Sequence, residues 1–113
     1  MAEENDWKIS IYHHPNPEIK SFLTDTEIST ARVERFNKPL GKDWERNLKQ
    51  LGIIGAQLVK EIMALTEVQE VHIRPKEIRI KKEISSSWQE IEKQVLYILD
   101  RALKRKKIKL IKA

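Results

Sequence analysis

Cysteine is absent from all 113 residues, which removes disulfides, thiolate catalysis and Cys-ligated zinc or iron–sulfur clusters together. Aromatic residues make up only 6% of the chain, few for a single-strand nucleic-acid platform, where several exposed rings interleave with basic side chains. No apolar run approaches the roughly 18 residues of a membrane span, and the opening Met1-Ala2-Glu3-Glu4-Asn5-Asp6 is acidic rather than signal-like. Internal repeats and low-complexity linkers are also missing. The expectation is a cytoplasmic protein with no membrane association and no resident cofactor.

Charge, by contrast, is plentiful. Charged residues are 35% of the chain against roughly a quarter in ordinary globular domains, while 40% hydrophobic residues leave enough to build a core. A chain of this length buries roughly two-thirds of its unfolded surface, so one domain is expected. The net charge of +5 is unevenly placed. Seven of the 22 basic residues lie in 101–113 with no acid among them, leaving 15 basic against 17 acidic residues in the body. We therefore expect a domain over 1–103 and a basic C-terminal tail over 104–113.

The clearest local pattern is Glu70-Val71-His72-Ile73-Arg74-Pro75-Lys76-Glu77-Ile78-Arg79-Ile80-Lys81-Lys82. Two alternating runs meet at a proline-bearing turn, the signature of a β-hairpin, since Pro75 presets φ and its missing N–H costs no ladder bond there. Val71, Ile73, Ile78 and Ile80 would face a core, while His72, Arg79 and Lys81 project the other way, with Arg74 and Lys82 also assigned to that outer side.

Trp7-Lys8-Ile9-Ser10-Ile11-Tyr12 alternates like a half-buried strand, and His13-His14-Pro15-Asn16-Pro17 breaks it. Further strands are expected at 19–24 and, more weakly, at 31–36. Asp43 is placed to cap a helix starting at Trp44, and Gly52 and Gly55 should interrupt helical pattern between 44 and 65. Beyond that break Ile54, Leu58, Ile62 and Leu65 make an apolar stripe. Ser87-Trp88-Gln89-Glu90 reads as a capping box opening a last helix, whose face is Trp88, Ile91, Val95, Ile98 and Ala102, widened by Leu99 and Leu103. Helices preceding and following a hairpin point to an α+β fold. We expect a two-layer sandwich, a mainly antiparallel sheet of about four strands with two or three helices on one face.

Catalytic chemistry is sparse. His13 and His14, adjacent in an extended strand, point to opposite faces and cannot chelate one ion without a turn. Glu18, Glu27, Glu61, Glu90 and Glu92 fall where solvated helix faces and caps would put them. No serine sits in a nucleophile elbow, and Gly52-Ile53-Ile54-Gly55 lacks the third glycine and the lysine of phosphate loops. Trp7, Trp44 and Trp88 suit packing better than ligand stacking. No catalytic residue, cofactor-binding residue or metal ligand is assigned. What remains is a surface. His72, Arg74, Arg79, Lys81 and Lys82 could meet a partner, and Lys104, Arg105, Lys106 and Lys107 could meet an anion. The simpler explanation is a lysine-protected sheet edge and a solubilising tail.

The order of elements also resembles a known family. Asn16-Pro17 followed by Phe22, then Leu58-Val59-Lys60-Glu61-Ile62-Met63-Ala64-Leu65, Val68, Val71-His72-Ile73, Pro75, Ile78-Arg79-Ile80-Lys81-Lys82, Trp88-Gln89-Glu90-Ile91 and Val95 fall in register with the N-terminal domain of Nfu/NifU-type iron–sulfur scaffold proteins. Ser21 stands where that family has lysine, with Lys20 beside it. Glu67 stands at a family glycine, His72 and Ile73 at phenylalanines, and Lys93 at a helix proline. The resemblance implies a stand-alone or excised accessory domain that accompanies cluster assembly without holding the cluster. In such proteins the Cys-x-x-Cys that ligates it lies in a separate C-terminal domain. A non-enzymatic protein-interaction role with a partner of the iron–sulfur pathway is the expectation. The alternative is a small module binding nucleic acid or an acidic partner through the tail and the outer hairpin face.

Overall fold

The computed structural model describes residues 8–30 and 33–112, with side chains described through Lys104. Trp7, Ala31 and Arg32, part of the expected strands, lie outside the described residues. Five antiparallel strands form one sheet: β1 (Ile9–His13), β2 (Ile19–Thr24), β3 (Glu34–Asn37), β4 (Val68–Arg74) and β5 (Glu77–Lys82), in the order β1-β2-β5-β4-β3. The expected four strands become five because 34–37 pairs fully with β4, with Phe36 opposite Val71 and inside the core.

The hairpin forms around the expected turn. Arg74 pairs with Glu77, Ile73 with Ile78, His72 with Arg79 and Val71 with Ile80. Its turn is anchored from outside, since the Ile28 N–H donates to the Pro75 carbonyl at 2.6 Å and the Thr24 N–H to that of Lys76 at 2.9 Å. A register shift between Val68 and Glu70 returns Val68 to the buried face.

Two α-helices pack on one face of the sheet. α1 (Gly52–Met63) buries Leu58, Val59, Ile62 and Met63, and α2 (Trp88–Lys112) buries Ile91, Val95, Ile98, Leu99, Ala102 and Leu103. These join Phe22, Phe36, Val68, Val71, Ile73, Ile78 and Ile80 in one cluster. Each such side chain contributes about 1.5–3 kcal/mol when removed from water, so alternation in the strands and helical spacing in the helices drive the same two layers together. The Ser87 Oγ accepts from the Gln89 N–H at 3.2 Å, while the Glu90 carboxylate accepts from the Gln94 amide instead of closing the box.

The break expected near Gly52 has a definite cause. Residues Trp44–Leu51 form a 3-10 helix, not an α-helix, and the Asp43 side chain makes no capping hydrogen bond. Thr30 satisfies that helix's last carbonyls, its hydroxyl donating to Gln50 O at 2.7 Å and its N–H to Leu51 O at 3.1 Å. Gly52 then turns the chain at φ +83°, a conformation costly for other residues. At Gly55 a Cβ would stand 2.9 Å from the Ile28 carbonyl oxygen, so glycine lets the 28–29 segment lie directly on α1.

Polar contacts tie the layers at their ends. Lys20 projects to the helix side, pairs with Glu92 and lies 5.1 Å from the Trp88 ring, whose Nε1–H donates to the Pro17 carbonyl at 2.7 Å. Arg101 of α2 pairs with Glu61 of α1. Glu61 and Glu92, expected on solvated faces, thus join elements. α2 runs on across the expected boundary at 103/104 to Lys112, so the basic stretch continues the helix.

Candidate functional site

The helices cover one sheet face; among the described residues the other is open. Strand register fixes what stands on it. Arg35 of β3, His72 of β4, Arg79 of β5, Ser21 of β2 and Tyr12 of β1 lie in one row across all five strands. On one side of that row Asn37, Glu70, Lys81 and Ile19 form a second row, and on the other Arg74, Glu77, Leu23 and Ser10 form a third.

The two flanking rows are balanced in charge. Arg74 lies 3.8 Å from the Glu77 carboxylate, and Lys81 is the cross-strand partner of Glu70. The central row has no acid. Arg35 and Arg79 face His72 from either side, about 5 Å away per strand step, and among the described residues neither arginine has a carboxylate within ion-pair distance. The two arginines are not opposite each other, since His72 stands between them.

Burial lowers the pKa of His72 below its usual value; Glu70, 3.7 Å away, opposes this, while Arg79, Arg35 and Arg74 reinforce it. The imidazole is therefore held neutral beside two arginines.

At the β2 end of the row Ser21 is buried, donates to Glu77 at 2.7 Å and lies 2.9 Å from His14 Nε2. The hydroxyl has one proton, which goes to Glu77, so His14 presents an N–H here and not a free lone pair. That order orients groups; it does not arm the serine through histidine. The His14 ring also packs edge-on against Tyr12 at 4.8 Å. Among the described residues no group of three or more His, Cys, Asp or Glu side chains is placed to hold a metal ion.

His72, Arg74, Arg79 and Lys81 stand on the open face. Lys82 does not. It continues the inward alternation of Ile78 and Ile80, is 8% exposed, and its ammonium is turned to the carbonyls of Glu83 and Ile84 at 3.1 and 3.2 Å. A stem packed against the core with its head at the sheet margin explains how a lysine occupies an apolar register position. Lys104 is exposed on α2, whereas the side chains of Arg105, Lys106 and Lys107 lie outside the described ones. Sequence reasoning missed Arg35 and Ser21, whose place depends on pairings between distant segments, and also Glu70 and Glu77, which alternation within the hairpin puts on the same face as His72, Arg79 and Lys81. The usable signal was the alternation Glu34-Arg35-Phe36, which puts Arg35 opposite in direction to a core phenylalanine.

Residues 9–106 match the family model described as scaffold protein Nfu/NifU N terminal. The chain belongs to the Nfu/NifU N-terminal family. Two of the solved structures that share its fold are each under 20% identical to it. One is the solution structure of a NifU-like protein from Saccharomyces cerevisiae, with a TM-score of 0.67 and 15% identity, covering 93% of this chain and 87% of that one. The other is the crystal structure of protein SAV1430 from Staphylococcus aureus, with a TM-score of 0.52 and 17% identity, covering 85% of this chain and 98% of that one. No curated protein matches the chain. The Nfu/NifU N-terminal family links it to iron–sulfur cluster assembly as a scaffold-type domain. No described helix is long and apolar enough to cross a membrane.

Proposed function

We propose that this member of the Nfu/NifU N-terminal family is a non-enzymatic accessory module of iron–sulfur cluster assembly in the cytoplasm. It engages a protein partner through the open face of its sheet and does not itself ligate a cluster. The observation that carries this reading is the division of the sheet: one face is committed to the helices, and the other displays Arg35, His72, Arg74, Arg79 and Lys81 around two carboxylates. The lack of cysteine in this chain leaves it no thiolate with which to hold iron. The Ser21 hydrogen-bond order and the scaffold character of the family both favour binding over turnover. Residues 1–103 act as one unit in this reading, with 104–113 as its basic extension.

The test is a pull-down from the source cell with the full chain. A cluster-assembly or cluster-receiving protein should be recovered, and recovery should fall for the combined Arg35→Glu, Arg79→Glu, Lys81→Glu variant. Recovery of no specific partner, or recovery indifferent to that variant, contradicts the proposal. A second reading, nucleic-acid binding by Lys104, Arg105, Lys106 and Lys107, draws on the continuous basic extension of α2. It fails if deleting 104–113 leaves DNA and RNA binding unchanged, since counterion release makes such charges the main source of affinity.

A further inference from the structure

The open face is not a uniform basic patch, and the imbalance between its rows is informative. The Arg74/Glu77 row and the Lys81/Glu70 row each pair a cation with a carboxylate on the adjacent strand. Only the row between them concentrates arginine, imidazole and arginine on three neighbouring strands without an acid. Among the described residues neither arginine has a carboxylate within ion-pair distance, so both guanidinium forks can take carboxylates supplied from outside, which they bind bidentately.

Resting on the reading of this face as a partner-docking surface, we infer that the Arg35–His72–Arg79 row is a carboxylate-binding track. It takes an acidic segment of the partner protein laid across β3, β4 and β5, with Arg35 and Arg79 as its two grips. The arginines stand two strand steps apart, about 10 Å, a span reached by two acidic side chains of one extended segment. Glu70, its carboxylate 3.7 Å from the His72 ring, and Glu77, hydrogen-bonded to Ser21 at 2.7 Å, border the track on either side and confine the incoming anion to the two arginines. The same two carboxylates repel a polyphosphate too broad for one row, which favours a peptide over nucleic acid. Tyr12 and Leu23, both exposed at the β1–β2 end of this face, offer apolar contact to the flank of the segment. His72 lies between the grips, faced by Arg35 from β3, Arg79 from β5, and Glu70 and Arg74 from its own strand, with Glu77 beside it. A carboxylate arriving there favours the imidazolium, so docking takes up a proton.

The experiment uses the full chain labelled with nitrogen-15 and an end-capped hexapeptide of alternating aspartate and glutamate as the probe. The peptide should shift the amide signals of Arg35, His72 and Arg79, and move the ring titration of His72 upward. Arg79→Glu or Arg35→Glu should weaken it about tenfold or more, the scale of a charge-assisted hydrogen bond. Lys81→Glu, in a balanced row, should weaken it less than about threefold, and His72→Gln should leave binding but remove its pH dependence. Arg79→Gln guards against a folding defect in the charge reversal, as do unchanged melting curves. Equal losses for Arg79→Glu and Lys81→Glu would overturn the track, as would absent or misplaced shifts, or a short DNA duplex perturbing the same amides more strongly. If the pull-down still recovers a partner through this face while the peptide fails, only the carboxylate assignment falls. If neither depends on the face, the docking surface itself is wrong.

Discussion

The two faces of this sheet are written in alternate letters of the same strands, and they obey different rules. On the inner face Val71, Ile73, Ile78 and Ile80 are all 0% exposed and pack beneath α1 and α2. One position away, His72 and Arg79 are half-buried on the face that the helices leave open, with the Glu70 carboxylate 3.7 Å from the imidazole. The inner face is determined by volume and water exclusion, which any close-packed apolar set can satisfy. The outer face holds specific charges in a specific order, and nothing about folding requires that order. The difference separates residues that make the domain from residues that give it something to do.

Substitutions can break or sharpen this contrast. The largest effect belongs inside: Ile73→Ala or Ile80→Ala should cost about 2–5 kcal/mol through lost burial and a residual cavity, read as a lower midpoint in denaturant melts. Lys82 sharpens the boundary, because it is a cation on the inner register. Lys82→Glu would turn a carboxylate toward the Glu83 and Ile84 carbonyls and should cost about 1–3 kcal/mol. Its neighbour Lys81→Glu should stay within about 0.5 kcal/mol. If both lysines respond alike, the assignment of Lys82 to the inner face is wrong. Arg79→Glu should likewise leave stability within about 0.5 kcal/mol while removing partner capture.

The smallest effect concerns protons. His72 has a folded pKa below the 6.5 of an unperturbed imidazole, so the unfolded chain binds the proton more readily. Its contribution to stability is complete above about pH 6.5 and is lost as pH falls through the folded value. Comparing melts of wild type and His72→Gln across that window should show a shallower pH dependence in the variant. An unchanged slope would remove the imidazole from the account.

Much of the inner face was legible beforehand because its signals are local. The hairpin 70–82 announces itself through period-two alternation and Pro75, α1 through its spacing after Gly52, and α2 through Ser87 and its apolar stripe. The resemblance to the Nfu/NifU N-terminal domain was legible for the same reason, since its register runs through those core positions. The outer face was harder. His72, Arg79 and Lys81 could be assigned by alternation within one hairpin, but Arg35 joins them only through the β3–β4 pairing, which brings together segments far apart in sequence. Lys82 was misplaced because a charged residue at a strand end reads as exposed, and only packing shows its stem buried. The 3-10 form of 44–51 was equally hidden, since Leu48 and Leu51 suit either helix type.

The most direct test of the central claim measures partner capture and stability together on one variant. In a pull-down from the source cell, the Arg35→Glu, Arg79→Glu, Lys81→Glu chain should lose the cluster-assembly or cluster-receiving partner that wild type recovers. Its denaturation midpoint should match wild type. Undiminished capture by a variant that is folded and equally stable would contradict the account, because the open face would then be surface only.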